Sequence, residues 1–152
     1  MIMQELQELF NYNNGRLYWK IRSARCIQIG DMAGYLSKGG YRCIKIYRKL
    51  YLEHRLIWIY YNGDIPDGMQ IDHINRIRDD NRIENLRLVT PQENNFNSSS
   101  KGYRWNKKGK KWISSIKVDG KKKYLGSFKN EEDARQAYLN AKEIYHVIKD
   151  RV

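Results

Sequence analysis

The chain has 152 residues, with 29 Lys and Arg against 17 Asp and Glu, a net charge of +12 and a mean hydropathy of −0.82. This length fits one domain or two small ones, and no apolar run is long enough for a membrane span, so a membrane partner is not expected. No signal-peptide pattern opens the chain, and Cys26 and Cys43 lack Cys-x-x-Cys spacing. These features argue against a disulfide framework or a structural zinc site and predict a cytoplasmic location, in a bacterial or phage-infected cell.

The positive charge is concentrated towards the C-terminus. Residues 1–98 carry 14 basic and 11 acidic side chains, whereas residues 99–152 carry 15 basic and 6 acidic side chains. The C-terminal third is therefore expected to face a polyanion, and nucleic acid is the leading partner. A lysine surface that only confers solubility is the alternative.

The first fifty residues predict a short helix and a small antiparallel sheet. Residues 3–10 place apolar side chains on one helical face, which predicts an amphipathic helix. Alternating patterns at 16–20 and 41–47, with turns at 13–15 and 48–49, predict the strands of the sheet.

Residues 53–61 predict a second helix, with His54 and Arg55 near its start. Two interpretations of His54 and Arg55 are open. They contact phosphate or support a catalytic residue, or His54 packs and hydrogen-bonds at the base of the hairpin that follows. The second interpretation is favoured.

The stretch that follows predicts a β-hairpin running into a helix. Residues 71–73 are extended and half apolar, 75–85 form a polar loop, and 86–89 alternate as a second strand. Pro91 suits the first turn of a helix that carries Asn94. Asp72 and Asn94 are then expected to close on one divalent cation, with His73 beside it.

These residues carry a resemblance to a known family. The pattern Asp72-His73, Asn81-Arg82-x-x-Asn85-Leu86, Val89-Thr90 and Glu93-Asn94 resembles the HNH homing endonucleases of the phage and intron-associated branch. The resemblance implies roles for four residues. His73 is the general base, Asp72 and Asn94 are metal ligands, and Asn85 holds the hairpin loop in place. The third position is Asn rather than His, which favours Mg²⁺, with Mn²⁺ possible, over zinc.

Beyond residue 97 the sequence predicts a second, separate unit. Residues 98–101 are polar and Ser-rich, as in a linker. Alternation at 101–105, 111–118 and 121–128 predicts three strands, with Asp119-Gly120 as a tight turn. A helix is predicted over 131–146, with Asn130 as its N-cap.

This order resembles the ethylene-response-factor (APETALA-type) DNA-binding domain. The match is carried by Gly102-Tyr103-Arg104, Trp112, Ile116, Leu125-Gly126-Ser127-Phe128 and Glu132-x-Ala134-x-x-Ala137-Tyr138. The resemblance implies a sheet that lies in the major groove of double-stranded DNA. The candidate DNA contacts on this sheet and its first loop are Arg104, Trp105, Lys107, Lys108, Lys117, Lys122 and Tyr124, and Trp105 and Tyr124 are equally compatible with a core role. Arg76 and Arg78, in the loop of the nuclease motif, are further candidate contacts.

The prediction is therefore an α+β protein in two parts. A ββα-metal (HNH) nuclease domain, with a small N-terminal antiparallel sheet, spans 1–97 with its core motif at 69–97. A linker at 98–101 leads to an APETALA-type domain at 102–152, a three-stranded antiparallel sheet packed on one helix. The expected function is hydrolysis of phosphodiester bonds in double-stranded DNA with one divalent metal ion and His73 as general base. The alternatives are a non-catalytic DNA-binding regulator on a degenerate nuclease fold, and an RNA-directed or toxin-like nuclease. No sequence feature demands a dimer, so a monomer is expected.

Overall fold

The structure is a computed structural model that describes residues 3–22, 24–98 and 100–149. It confirms the predicted α+β class, with four helices and short antiparallel sheets in these ranges. The chain divides into an N-terminal unit that extends to Pro91 and a C-terminal unit, Gln92–Lys149. The functional division with a linker at 98–101 stays a prediction, and Ser99 lies outside the described residues.

The N-terminal unit contains two helices, three small sheets and one short 3₁₀ turn. Its elements in chain order are α1 (Met3–Leu9), β1 (Phe10–Asn13), β2 (Arg16–Trp19), β3 (Tyr35–Leu36), β4 (Arg42–Ile46), β5 (Lys49–Leu52), α2 (Glu53–Asn62), β6 (Gln70–His73), the 3₁₀ turn Ile83–Asn85 and β7 (Leu86–Val89). β1 pairs with β2, β3-β4-β5 form one antiparallel sheet, and β6 pairs with β7.

Two local expectations in this unit are corrected. The first helix ends at Leu9, and Phe10 begins β1, which pairs with β2 through a turn at Asn14 (φ 43°) and Gly15 (φ 81°). The Asn-Gly turn was predicted, but a hairpin needs a strand on both sides of such a turn. The second hairpin turns at Tyr47 and Arg48, one residue earlier than expected, and both have positive φ, 47° and 66°.

A single apolar core joins most elements of the N-terminal unit. Helix α2 contributes Leu56, Ile57 and Trp58, and the hairpin β6–β7 contributes Ile71 and Leu86. The remaining buried members of this core are Leu6, Leu9, Phe10, Leu17, Trp19, Ala33, Ile44 and Ile46. Because β6 and β7 are anchored in it, the residues at their ends are held by the same packing as the rest of the unit.

The C-terminal unit begins within helix α3 (Pro91–Phe96) and contains one sheet and one long helix. Its further elements are β8 (Tyr103–Asn106), β9 (Lys111–Val118), β10 (Lys121–Phe128) and α4 (Glu131–Tyr145). The strand order is β10-β9-β8, all antiparallel, as predicted.

The sheet of the C-terminal unit packs on α4. Ile116 meets Tyr138 and Ala141, and Ala134 is fully buried. Gly102 has φ +70°, and a Cβ at this position would collide with the Tyr138 ring, so a glycine lets the chain pass close to the helix. Asn130 occupies the N-cap position as predicted, but its side chain makes no capping bond.

None of the helices within these described ranges is long and apolar enough to cross a membrane.

Candidate functional site

The hairpin β6–β7 places Asp72 and His73 at the end of a strand. Asp72 pairs directly with Arg87, and His73 with Leu86. Both polar side chains are buried, with Asp72 8% and His73 5% exposed. Buried polar groups persist in a fold when they are hydrogen-bonded, so their partners define the site.

Arg87 binds the Asp72 carboxylate across the hairpin. Its Nε and Nη2 both donate to Asp72 Oδ2, at 3.0 and 2.8 Å. The pairing places a permanent cation beside the carboxylate in a charge-assisted hydrogen bond. Of the two arginines near this strand, Arg82 pairs with Asp80 and Glu84, whereas the pairing of Arg87 with Asp72 was not anticipated from the sequence. The missed signal is opposite charges in directly paired strand positions.

His73 is hydrogen-bonded to Asn81 and is flanked by two aromatic rings. Its Nε2 lies 2.9 Å from Asn81 Oδ1, and Asn81 is 1% exposed. The His54 ring meets the His73 ring edge to face at 4.9 Å, and the Tyr41 ring lies 6.1 Å away. This enclosure limits the orientations available to the His73 ring.

His54 is a packed residue of this cluster. Burial, and then the positive charges that His73 and Arg55 can carry, lower the pKa of His54 to about 3. Its Nδ1 has no hydrogen-bond partner among the described residues. A neutral ring at this place fits the packing interpretation of His54.

Asn85 fixes the loop between the two strands. Its Oδ1 accepts from the Asn75 backbone N–H at 3.0 Å, and its Nδ2 donates to Asn75 Oδ1 at 3.0 Å and to the Asp80 carbonyl at 2.7 Å. These contacts tie the two ends of the loop together at Asn85, and the role that the family resemblance implies for Asn85 stays a prediction. The loop is tied further because Arg82 donates two bonds of 2.8 Å to Asp80, and this pairing holds the pKa of the Asp80 carboxyl well below its usual range.

The two arginines predicted to contact DNA from this loop differ in their surroundings. Arg76 is exposed, has φ 64°, and its backbone N–H donates to the His73 carbonyl at 3.0 Å. Arg78 donates to the Gly39 carbonyl at 2.9 Å and lies 5.0 Å above the Tyr41 ring. Arg78 therefore links the loop to the β3–β4 turn, and its DNA contact stays a prediction.

Asn94 lies on α3, within the C-terminal unit, and its side chain is half-buried. Asp72 belongs to the N-terminal unit, and the partnership of Asn94 with Asp72 stays a prediction. Among residues 3–22, 24–98 and 100–149, no three His, Cys, Asp or Glu side chains gather in one place.

The C-terminal sheet has one face that α4 leaves open. Directly paired residues share a face, and Lys117 pairs with Lys122 while Tyr124 pairs with Ser115. Arg104, paired with Ile113, lies on the same face. The open face therefore gathers the predicted contacts Arg104, Lys117, Lys122 and Tyr124, and all four side chains are exposed.

Trp105 lies on the other face of this sheet. It pairs with Trp112, and the two rings meet at 5.3 Å. Its indole is 43% exposed. Lys107 and Lys108 are exposed in the β8–β9 loop. The roles of these three residues in DNA binding stay predictions.

Two buried residues that are linked to His73 by hydrogen bonds were not anticipated as site residues. Asn81 is hydrogen-bonded to His73, and it donates a second hydrogen bond to Glu53, at the start of α2. Asn81 falls within the quoted family pattern, but Glu53 carries no signal in the sequence beyond its place before His54.

Comparison with known proteins places these observations in a family. Residues 51–96 match the family model described as HNH endonuclease. An uncharacterised HNH endonuclease of Acanthamoeba polyphaga mimivirus is 35% identical over 118 residues, which cover 73% of this chain. The same alignment covers 62% of the mimivirus protein, so the chain spans less than two thirds of that relative's length.

Further relatives come from bacterial viruses. Protein 3.8 of Escherichia phage T7 is 34% identical over 88 residues, covering 51% of this chain and 73% of that protein. The putative HNH homing endonuclease YosQ, derived from the SPbeta prophage of Bacillus subtilis, is 42% identical over 52 residues, which are 34% of this chain and 30% of that protein.

The fold is similar to that of a solved structure, the HNH homing endonuclease I-HmuI, which is described as binding and cleaving DNA. The TM-score is 0.52 at 25% identity, covering 82% of this chain and 75% of that protein. The family model matches the stretch that holds Asp72, His73, Asn85 and Asn94. Residues 51–96 of the chain therefore form an HNH endonuclease domain.

Proposed function

We propose that this protein is a DNA endonuclease that hydrolyses phosphodiester bonds in double-stranded DNA. The observation that carries the proposal is His73, buried at the end of β6 beside Asp72, with one ring nitrogen bonded to Asn81. The match of residues 51–96 to the HNH endonuclease model supports it, as does the similarity to I-HmuI.

His73 acts as the general base in this proposal. Its imidazole takes a proton from a water molecule, the water oxygen forms a bond to phosphorus, and the bond from phosphorus to the 3′ oxygen breaks. Proton transfer by a positioned histidine contributes about 10²–10⁴-fold to such a rate. We propose that Arg76, which is exposed next to the strand end, contacts the DNA backbone.

The donor atoms proposed for a metal suit a hard divalent cation. Asp72, which is hydrogen-bonded to Arg87, offers carboxylate oxygen, and Asn94 offers an amide oxygen. Oxygen donors of this kind match Mg²⁺, and Mn²⁺ as a second choice. When bound, such an ion supplies positive charge to the phosphate and the leaving oxygen. One carboxylate and one amide give weak intrinsic affinity, so phosphate oxygens of the DNA are expected to strengthen binding.

The open face of the C-terminal sheet is proposed as the main DNA-binding surface, in the manner of the APETALA-type domain that it resembles. Arg104, Lys117 and Lys122 lie on this face together, and Lys107 and Lys108 extend the positive charge along the adjoining loop. Lysine lacks the bidentate fork with which arginine reads guanine. The surface is therefore expected to anchor phosphates more than to read bases.

A supercoiled-plasmid assay tests the nuclease proposal. The wild-type protein is incubated with plasmid and Mg²⁺, Mn²⁺ or EDTA, alongside His73→Ala and Asp72→Asn. Metal-dependent conversion to open-circle or linear DNA is expected for the wild type, with a rate about 10²–10⁴-fold lower for His73→Ala. Open-circle product indicates nicking, which is expected of a monomer with one site, and linear product indicates cutting of both strands.

Asp67→Asn is the matched control, because Asp67 is exposed in the turn before β6 and undergoes the same chemical change as Asp72→Asn. It should cleave like the wild type. Circular dichroism establishes that each variant is folded. Salt-sensitive binding without cleavage on a library of random targets would instead favour the non-catalytic DNA-binding protein.

A further inference from the structure

A buried row of hydrogen bonds runs from helix α2 to the imidazole of His73. Asn81 Nδ2 donates to Glu53 Oε2 at 2.8 Å, and Asn81 Oδ1 lies 2.9 Å from His73 Nε2. Glu53 is 0% exposed and Asn81 is 1% exposed. Burying these polar side chains costs free energy unless each of them is hydrogen-bonded, so the partners of each side chain decide whether the arrangement is stable.

The Glu53 carboxylate meets two hydrogen-bond donors and one cation. The Leu17 backbone N–H donates to Oε1 at 3.1 Å, Asn81 donates to Oε2, and Arg42 Nε lies 3.1 Å from Oε2. Burial raises the pKa of Glu53, whereas the Leu17 amide, Asn81 and the Arg42 charge oppose that rise. Both carboxylate oxygens accept hydrogen bonds, which is the behaviour of the purely accepting, ionised side chain.

The accepting carboxylate fixes the direction of the whole row. Because Glu53 Oε2 only accepts, the Asn81 amide must turn its nitrogen towards it. Asn81 Oδ1 then faces His73, and an amide oxygen also only accepts. The proton of neutral His73 must therefore sit on Nε2, and the basic lone pair on Nδ1.

We propose that Glu53 and Asn81 are positioning residues that hold His73 in the Nε2–H tautomer, so that Nδ1 is the atom that takes the proton from water. The choice of Nδ1 as the reacting atom rests on the proposed function, whereas the tautomer itself does not. Glu53 acts through Asn81 and touches neither the water nor the DNA.

Ring packing supports the same orientation. The His54 ring edge at 4.9 Å and the Tyr41 ring at 6.1 Å flank His73, and Arg78 lies over Tyr41. The hydrogen bond to Asn81 sets which nitrogen carries the proton, and the flanking rings restrict rotation of the imidazole.

Nuclear magnetic resonance of the full chain without metal tests this proposal directly. In protein labelled with ¹⁵N on histidine, long-range ¹H–¹⁵N correlations at pH 8 distinguish a protonated from an unprotonated ring nitrogen. The His73 signals are assigned by their loss in His73→Ala. A protonated Nε2 and an unprotonated Nδ1 are expected in the wild type. The opposite tautomer in the wild type would overturn the proposal without reference to any variant.

Three variants separate positioning from a general loss of structure. Asn81→Ala and Glu53→Gln should shift His73 towards a mixture of tautomers, the second because a glutamine amide lets Asn81 turn over. Asn81→Asp, whose carboxyl must carry a proton on the oxygen that faces Glu53, still presents an accepting oxygen to His73 and should retain the Nε2–H tautomer. Asn11→Ala and Glu8→Gln are exposed counterparts in the same unit and should leave the spectrum of His73 unchanged. A retained Nε2–H tautomer in folded Asn81→Ala and Glu53→Gln would contradict the assigned roles.

Cleavage kinetics then connect the tautomer to activity. Asn81→Ala and Glu53→Gln should lower kcat by at least about tenfold with little change in KM, because a general base in the wrong tautomer or orientation loses rate rather than binding. Unchanged kcat in variants that have lost the tautomer would overturn the catalytic part. The expected tautomer in a wild-type protein that cuts no DNA would support the tautomer assignment and refute the proposed function.

Discussion

The pH dependence of stability is a sensitive test of how His54 is packed. The side chain is 5% exposed, and burial is the largest cause that lowers the pKa of His54 to about 3, from 6.5 in an unfolded chain. Between these two values the unfolded chain binds a proton at His54 and the folded chain does not. Folding stability therefore falls as pH drops from 6.5 towards 3.

The size of this effect follows from the two pKa values. Each pH unit below 6.5 costs about 1.4 kcal/mol until the folded pKa is approached, so lowering the pH from 7 to 5 removes about 2 kcal/mol of the free energy of unfolding.

The perturbation is His54→Leu, which keeps an apolar side chain at the site and removes the titrating group. Urea unfolding followed by circular dichroism at pH 7, 6 and 5 gives the free energy of unfolding of each protein. The wild type should lose about 2 kcal/mol more than the variant over this range. Parallel pH curves for the two proteins would refute the inference that His54 stays neutral in the fold.

Three further outcomes are expected. Gly102→Ala should lower the free energy of unfolding by about 2–4 kcal/mol, because it combines a positive φ with a collision against Tyr138. Gly120 also has a positive φ but faces open space, so Gly120→Ala should lower the free energy of unfolding by only about 1 kcal/mol; thermal unfolding measures both. Replacing Lys107 and Lys108 by Gln should reduce the slope of log affinity for duplex DNA against log salt concentration by up to about 2, measured by fluorescence anisotropy. EDTA should abolish cleavage and leave the circular-dichroism spectrum unchanged, and metal-independent cleavage would contradict the assigned ligands.

The elements that sequence reasoning found are those fixed by local patterns. The hairpin around Asp72 follows from apolar alternation and a polar loop, and α4 follows from alanines spaced along one face. The open face of the C-terminal sheet was found only in part. Arg104 and Trp105 are adjacent in one strand, and their side chains must therefore lie on opposite faces, so a list that contains both mixes two surfaces.

The parts that sequence reasoning missed depend on contacts between distant segments. Glu53 and Asn81 are 28 positions apart, and neither the burial of Glu53 nor its donors can be read from its neighbours in the chain. Arg87 opposite Asp72 was readable once the hairpin register was fixed, because the two positions pair directly. Register thus carries information on charge pairing that a motif alone leaves out.

The tight turn at Tyr47 and Arg48 is a position where substitution is expected to stabilise the protein. Both central residues have positive φ, a conformation that Asn and Gly adopt at low cost and that bulky side chains adopt at about 1 kcal/mol each. The Tyr47 side chain is 71% exposed, so replacing the pair with Asn-Gly removes little buried surface. Such a variant offers a more robust background in which disruptive changes to the buried polar network can be purified and studied while the N-terminal unit remains folded.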